Sequence, residues 1–228
     1  EICGLIGPNG AGKTTVFNLL TKVYQPTTGT VLINGKDTAG MNTVQASKLG
    51  IARTFQNIRL FDNMTVEENV RIGLHNQIKY GMFSGIFRLP QYWQGEKKQH
   101  EKALDLLSIF GMENMGDVKA GSLPYGAQRR LEIVRALATN PEIIYFDEPT
   151  SALDPELIGE VLNVMRQLAE EGMTMLVVTH EMNFARHVSN RVVFMEGGRI
   201  IEQNGAQEFF AHPKEARTQE FLAKINQR

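Results

Sequence analysis

Gly7-Pro8-Asn9-Gly10-Ala11-Gly12-Lys13-Thr14, followed by Thr15, carries every part of a phosphate cradle. The spacing is G-x-x-x-x-G-K-[ST], and its context has mechanical meaning, because an apolar segment (Ile2 to Ile6) precedes it and a helical run (Thr14 to Tyr24) follows. Glycines let the main chain wrap closely around a phosphate, with N–H groups turned inward at a helix N-terminus. Lys13 is then within reach of the β- and γ-phosphates of a nucleoside triphosphate, and the Thr14 hydroxyl within reach of its Mg²⁺. A plain glycine turn before a helix would need neither the Lys-Thr pair nor the preceding strand.

A second element pairs with the first. Ile143-Ile144-Tyr145-Phe146 reads as a strand buried on both faces, and it ends in Asp147-Glu148. Asp147 is placed to bind Mg²⁺, directly or through water. Glu148 is placed to take a proton from an attacking water, or to orient it. A strand ending in two carboxylates is common, and the upstream phosphate loop is what gives this one its chemical meaning.

The elements that position these groups alternate. Thr30 to Ile33 reads as a strand turning at Asn34-Gly35, a strong hairpin signal. Gly50 to Thr54 reads as a short strand ending near Gln56, and Val66 to about Thr139 as helical. After the Asp147 strand come a helix from Glu156 to Glu171, a strand from Met173 to Thr179 and a helix near Glu181 to Val188. A hairpin of Arg191 to Met195 and Arg199 to Gln203 turns about Glu196-Gly197-Gly198. Strands that enclose a block of helices predict an α/β core, residues 1–65 and 140–228, with an inserted helical subdomain at 66–139. The chain opens at Glu1 almost inside its first strand, so further strands and an adenine-stacking aromatic are expected upstream of it.

Between the two nucleotide elements lies Leu123-Pro124-Tyr125-Gly126-Ala127-Gln128, leading into an amphipathic helix through Leu137. With it, six ordered motifs resemble the ATP-binding subunits of ABC transporters over nearly the whole chain. Gln56 matches the Q-loop glutamine, Ser151-Ala152-Leu153-Asp154 the D-loop, and His180 the switch histidine. Leu123 to Ala127 stands at the signature usually written Leu-Ser-Gly-Gly-Gln. The resemblance implies a P-loop NTPase of the ABC type with a mainly parallel sheet, using ATP and Mg²⁺. It implies that Gln56 senses the metal and γ-phosphate, that His180 bonds the γ-phosphate, and that Asp154 and residues 123–128 serve the nucleotide of a second ATPase subunit. It also implies membrane-spanning permease subunits as partners, indirectly a solute-binding protein, and a peripheral place on the cytoplasmic face of the membrane.

This chain departs from the pattern at Pro124, where a serine is usual, and at Ala127, where glutamine is usual. The two halves also resemble different relatives. Ile51 to Glu68, Gln77 to Gln99 and Leu123 to Leu137 look like branched-chain amino acid ATPases, and Glu148 to Phe221 like polar amino acid ATPases. Amino acid import is the common denominator.

Composition agrees. With 24 basic and 25 acidic residues the net charge is −1, which argues against bulk attraction to nucleic acid. The single cysteine, Cys3, excludes an internal disulfide. No apolar run reaches the length of a membrane span. His75, His100, His187 and His212 lack metal-ligand spacing. The absence of an Asn-Lys-x-Asp element sets aside a small GTPase. A soluble ABC-type ATPase of DNA repair or translation would carry tandem cassettes or a long coiled coil, and an ATP-binding module without turnover stays open as a second alternative. Met82, Phe83, Ile86, Phe87, Leu89, Tyr92 and Trp93 form an aromatic cluster that either packs as a local core of the helical subdomain or docks a membrane subunit.

Overall fold

The elements follow one another as β1 (Ile2–Ile6), α1 (Lys13–Leu20), β2 (Leu32–Ile33), β3 (Lys36–Asp37), α2 (Thr43–Lys48), β4 (Ile51–Arg53), α3 (Val66–Leu74), α4 (Pro90–Ile109) and α5 (Tyr125–Ala138). Then come β5 (Ile143–Asp147), α6 (Pro155–Glu170), β6 (Thr174–Val178), α7 (Met182–Val188), β7 (Arg191–Glu196), β8 (Arg199–Gly205), α8 (Ala206–Ala211) and α9 (Ala216–Asn226). The structure is a computed structural model and describes residues 1–75, 87, 89–151 and 153–226. The chain divides into two units, Glu1–Gln56 with Glu142–Arg228, and Asn57–Pro141.

The first unit is built on a six-stranded sheet in the order β4-β5-β6-β1-β7-β8. All neighbours are parallel except β7 and β8, which form the antiparallel hairpin. Register matters most in the middle, where Asp147 pairs with Val178 and Val178 with Leu5. Three strands therefore end level with one another. Each of these strands is apolar almost throughout, since helices cover both faces of such sheets. Ile6, Ile144, Phe146, Val177 and Val178 are fully buried. Each large side chain so buried contributes about 1.5–3 kcal/mol, which is what holds the strand ends in register. Asn34-Gly35 joins β2 to β3 with φ of 50° and 74°, the pair of positive values a tight two-residue hairpin turn requires.

Several boundaries differ from the sequence reading for local reasons. Helix α1 stops at Leu20, four residues before Tyr24, because Lys22 takes φ 59° and its N–H returns to the Leu19 carbonyl. Among the described residues the stretch from 66 to 139 holds three α-helices, α3 to α5, with two short 3-10 helices (Glu113–Met115 and Ala120–Ser122) ahead of α5. Helices α2, α8 and α9 were not foreseen. They are short or polar, and α2 owes its start to a capping box of Asn42 with Gln45.

In the second unit α3 packs against α5 closely enough to require Gly73, where a Cβ would lie 2.6 Å from the Arg135 carbonyl oxygen. Val66, Val70, Leu107, Leu131 and Val134 fill its interior. Of the aromatic cluster, Met82, Phe83 and Ile86 lie outside the described residues. Phe87, Leu89 and Trp93 are exposed, so they do not form the local core that the sequence suggested.

Candidate active site

The carboxyl ends of four adjacent strands, β4, β5, β6 and β1, supply the site, as in open α/β sheets generally. The loop leaving β1 is the phosphate cradle. Gly7 (φ 153°) starts it, and a Cβ at this position would stand 2.1 Å from the Met195 carbonyl oxygen of β7, so only glycine fits. Ala11 N–H donates to the Pro8 carbonyl at 3.2 Å, and the Ala11 carbonyl accepts from Gly198 N–H at 3.0 Å, which pins the loop to the β7–β8 turn. Gly12, with φ 97°, caps α1 in a left-handed conformation without a side-chain bond. The first N–H groups of α1 have no acceptor within the helix and suit an anion.

The Lys13 ammonium is folded back into the loop, donating to the Gly7 and Pro8 carbonyls at 2.8 and 3.0 Å. Its burial pulls its pKa below the usual lysine value, and the carboxylates of Glu148 and Asp147 oppose that shift. Thr14 and Thr15 are exposed on the first turn of α1. Residues 9–15, Gln56 and Glu148 line a cavity of about 350 Å³, enough for a polyphosphate tail.

Glu148 follows β5 and is held in a left-handed conformation (φ 49°), a strained state for a non-glycine residue. Its N–H donates to the Val178 carbonyl at 3.0 Å. One carboxylate oxygen, Oε2, accepts from Gln56 Nε2 at 3.0 Å, and the other, Oε1, lies 3.1 Å from His180 Nε2. Residues 92 and 32 positions away in sequence thus meet on one carboxylate. His180 is half-exposed and oriented by the turn in which Thr179 Oγ1 accepts from Glu181 N–H at 2.9 Å. A second hollow, lined by Pro8, Asn9, His180, Phe221 and Ile225, flanks the loop on the side of α9.

Asp147 is 2 % exposed. Its Oδ2 accepts from Arg53 Nη2 at 2.7 Å, whereas Oδ1 is buried without a hydrogen-bond partner. An orphaned carboxylate oxygen beside a phosphate cradle fits a divalent cation that the phosphates and Thr14 would also ligate. Among the described residues no group of three or more His, Cys, Asp or Glu could hold a metal alone. Mg²⁺ binds through one or two protein oxygens, phosphates and waters. Arg53 was missed in the sequence. Its only signal was a cation in the otherwise apolar strand β4.

The remaining candidates belong to the second unit, except Asp154. Leu123 is buried and Pro124 exposed, and Pro124 caps α5 with no side-chain bond. Tyr125 is exposed, Gly126 and Ala127 are buried, and Gln128 turns its amide back to the Leu123 carbonyl at 2.9 Å. Asp154 precedes α6, again without a capping side-chain bond, and Ala152 beside it lies outside the described residues.

With this geometry in hand, comparison with known proteins is decisive. The family described as ABC transporter matches residues 1–151. This chain belongs to the ABC transporter family. The cassette is 42 % identical over 234 residues to the L-cystine transport system ATP-binding protein TcyN of Escherichia coli K12, covering 99 % of this chain and 87 % of that protein. It is 39 % identical over 209 residues to the high-affinity branched-chain amino acid transport ATP-binding protein LivG of the same organism, covering 91 % and 82 %. A dimeric structure of a post-hydrolysis ATP-binding cassette bound to ADP and Pi superposes with a TM-score of 0.75 at 30 % identity, covering 91 % of this chain and 86 % of that one. Both amino acid classes seen in the two halves of the sequence thus recur among the relatives. The cassette has the α/β P-loop fold of an ABC ATPase, and among its described residues no helix is long and apolar enough to cross a membrane.

Proposed function

We propose that this cassette hydrolyses Mg-ATP to energise an amino acid importer. The observation that carries the reading is the Glu148 carboxylate, held between Gln56 and His180 at the rim of the phosphate cradle. Amide groups of the loop and Lys13 bind the β- and γ-phosphates, the lysine exchanging its carbonyl partners for phosphate oxygens. Thr14 and Asp147 would hold Mg²⁺, which would neutralise charge on the phosphates. Glu148 accepts the proton of the attacking water as the γ-phosphoryl group leaves ADP, and its two neighbours fix the direction of its lone pairs. His180, its ring already within bonding distance of Glu148, donates to the γ-phosphate as charge moves to the bridging oxygen.

Residues 123–128 and Asp154 serve the nucleotide of a second cassette. A bare helix N-terminus at α5 is suited to that task, since its leading N–H groups and dipole favour an anion. The dimer found for a 30 % identical cassette supports this. The names of relatives support permease partners, hence a place at the membrane, and amino acids as cargo, branched-chain or polar.

Steady-state Mg-ATP hydrolysis measured across protein concentrations tests the proposal. A rate that rises faster than linearly and vanishes in Glu148→Gln is expected of a composite dimer site. Strictly linear turnover, unchanged by that substitution, would remove both the dimer and Glu148.

A further inference from the structure

We propose that Arg53 is a positioning residue for the metal: it takes one oxygen of Asp147 and leaves the other to Mg²⁺. The proposal rests on the reading of Asp147 as a metal ligand. Arg53 Nη2 donates to Asp147 Oδ2 at 2.7 Å, with the two side chains 8 % and 2 % exposed. Nη1 donates in the opposite direction, to Asn18 Oδ1 at 2.7 Å and Thr21 Oγ1 at 3.3 Å, both on or just beyond α1. The guanidinium also lies over the rings of Phe17 and Phe55, 5.6 and 5.1 Å from their centroids.

A flat cation held by hydrogen bonds at its edge and by rings on its faces cannot follow a carboxylate that moves, so the carboxylate follows it. The planar fork of arginine is suited to this, because separate nitrogens engage separate partners at fixed angles. Asp147 is thereby fixed in rotation with Oδ2 on the guanidinium, and Oδ1, buried without a hydrogen-bond partner, is the oxygen it leaves for the metal. The same side chain joins β4, β5 and the helix that begins at Lys13 and Thr14. It therefore sets the spacing of the two protein oxygens assigned to the metal. Outer partners of ligating groups act in this way at metal sites generally.

The test measures Mn²⁺ binding to the full chain in the presence of ATP by electron paramagnetic resonance, and ATP binding in EDTA by calorimetry. Arg53→Gln should weaken Mn²⁺ about 10–100-fold and leave ATP binding in EDTA within about twofold. Because the glutamine leaves a buried carboxylate short of its cation and can cost the fold, two milder variants accompany it. Arg53→Lys keeps the charge but loses the fork, and Asn18→Ala frees Nη1 while keeping the ion pair. Both should shift Mn²⁺ affinity in the same direction by a smaller factor. Unchanged Mn²⁺ affinity in both, or an equal fall with and without metal, overturns the proposal. Asp147→Asn separates the two claims. If it too leaves Mn²⁺ binding intact, Asp147 is no ligand. If it abolishes binding while the Arg53 and Asn18 variants retain it, only the role of Arg53 falls.

Discussion

The phosphate cradle of the first unit and the 123–128 segment of the second are both helix N-termini, yet they are built in opposite ways. Helix α1 is preceded by a loop locked through Gly7 and Ala11 to strand β7 and the turn after it, and it is surrounded by side chains that carry charge: Lys13, Asp147, Arg53 and Glu148. Helix α5 is capped by Pro124, which bonds nothing through its side chain, and runs on from Tyr125 through buried Gly126 and Ala127. The first end can bind and transform a ligand with its own groups. The second has no side-chain cap, and its leading N–H groups and dipole are worth fractions of a kcal/mol to about 2 kcal/mol to an anion. On the proposed reading, catalytic groups are concentrated at one terminus, and the other completes the site of a second cassette.

The largest test of this contrast is Glu148→Gln. The amide keeps the shape of the side chain and its reach to Gln56 and His180 but cannot take a proton, so turnover should fall about 10²–10⁴-fold. ATP should stay bound, as a filter-binding assay with labelled ATP would report. Near-normal turnover would mean that the first terminus does not run the chemistry.

His180→Ala should cost about 10²-fold in kcat, at the lower end for a positioned proton-handling group. If it matched Glu148→Gln in size, the two residues would act as one unit.

Gly7→Ala forces a Cβ into the Met195 carbonyl and should destabilise the fold by about 1–3 kcal/mol, with loss of ATP affinity. A denaturant melt with and without ATP distinguishes a loosened loop from general unfolding. Equal affinity in the variant would show that the cradle does not need its anchor on β7.

The smallest effect tests the other terminus. Pro124→Ser introduces a capping hydroxyl at α5 and should add about 1 kcal/mol of thermal stability. It should also tighten ATP-dependent self-association, read by analytical ultracentrifugation of the Glu148→Gln background. Stability that rises without any change in association would confine residue 124 to a local structural role.

Local chemistry was legible in the chain to different depths. The Asn34-Gly35 turn, the phosphate loop and the apolar strand ending in Asp147-Glu148 each declare themselves within a few residues, because the forces that shape them act over that range. Helix α1 was overextended because nothing in the composition of 21–24 forbids a helix, and only the left-handed Lys22 ends it. The exposure of Leu89 and Trp93 was hidden for a related reason, since aromatic residues pack inward only when a neighbouring surface is there to receive them.

What the sequence determined by itself is therefore the list of parts: a cradle, a pair of carboxylates, a glutamine, a histidine, and a 123–128 segment that leads into a helix and carries Pro124 where a serine is usual. What only the tertiary structure decided is their assembly. The order β4-β5-β6-β1 brings Gln56 and His180 to the Glu148 carboxylate, and seats Arg53 against Asp147 from 94 residues away. Parallel neighbours are joined by long crossovers, so no local pattern records which strand lies beside which. That choice is made by burial of the apolar strands together, and the ion pair between Arg53 and Asp147 exists only once it has been made.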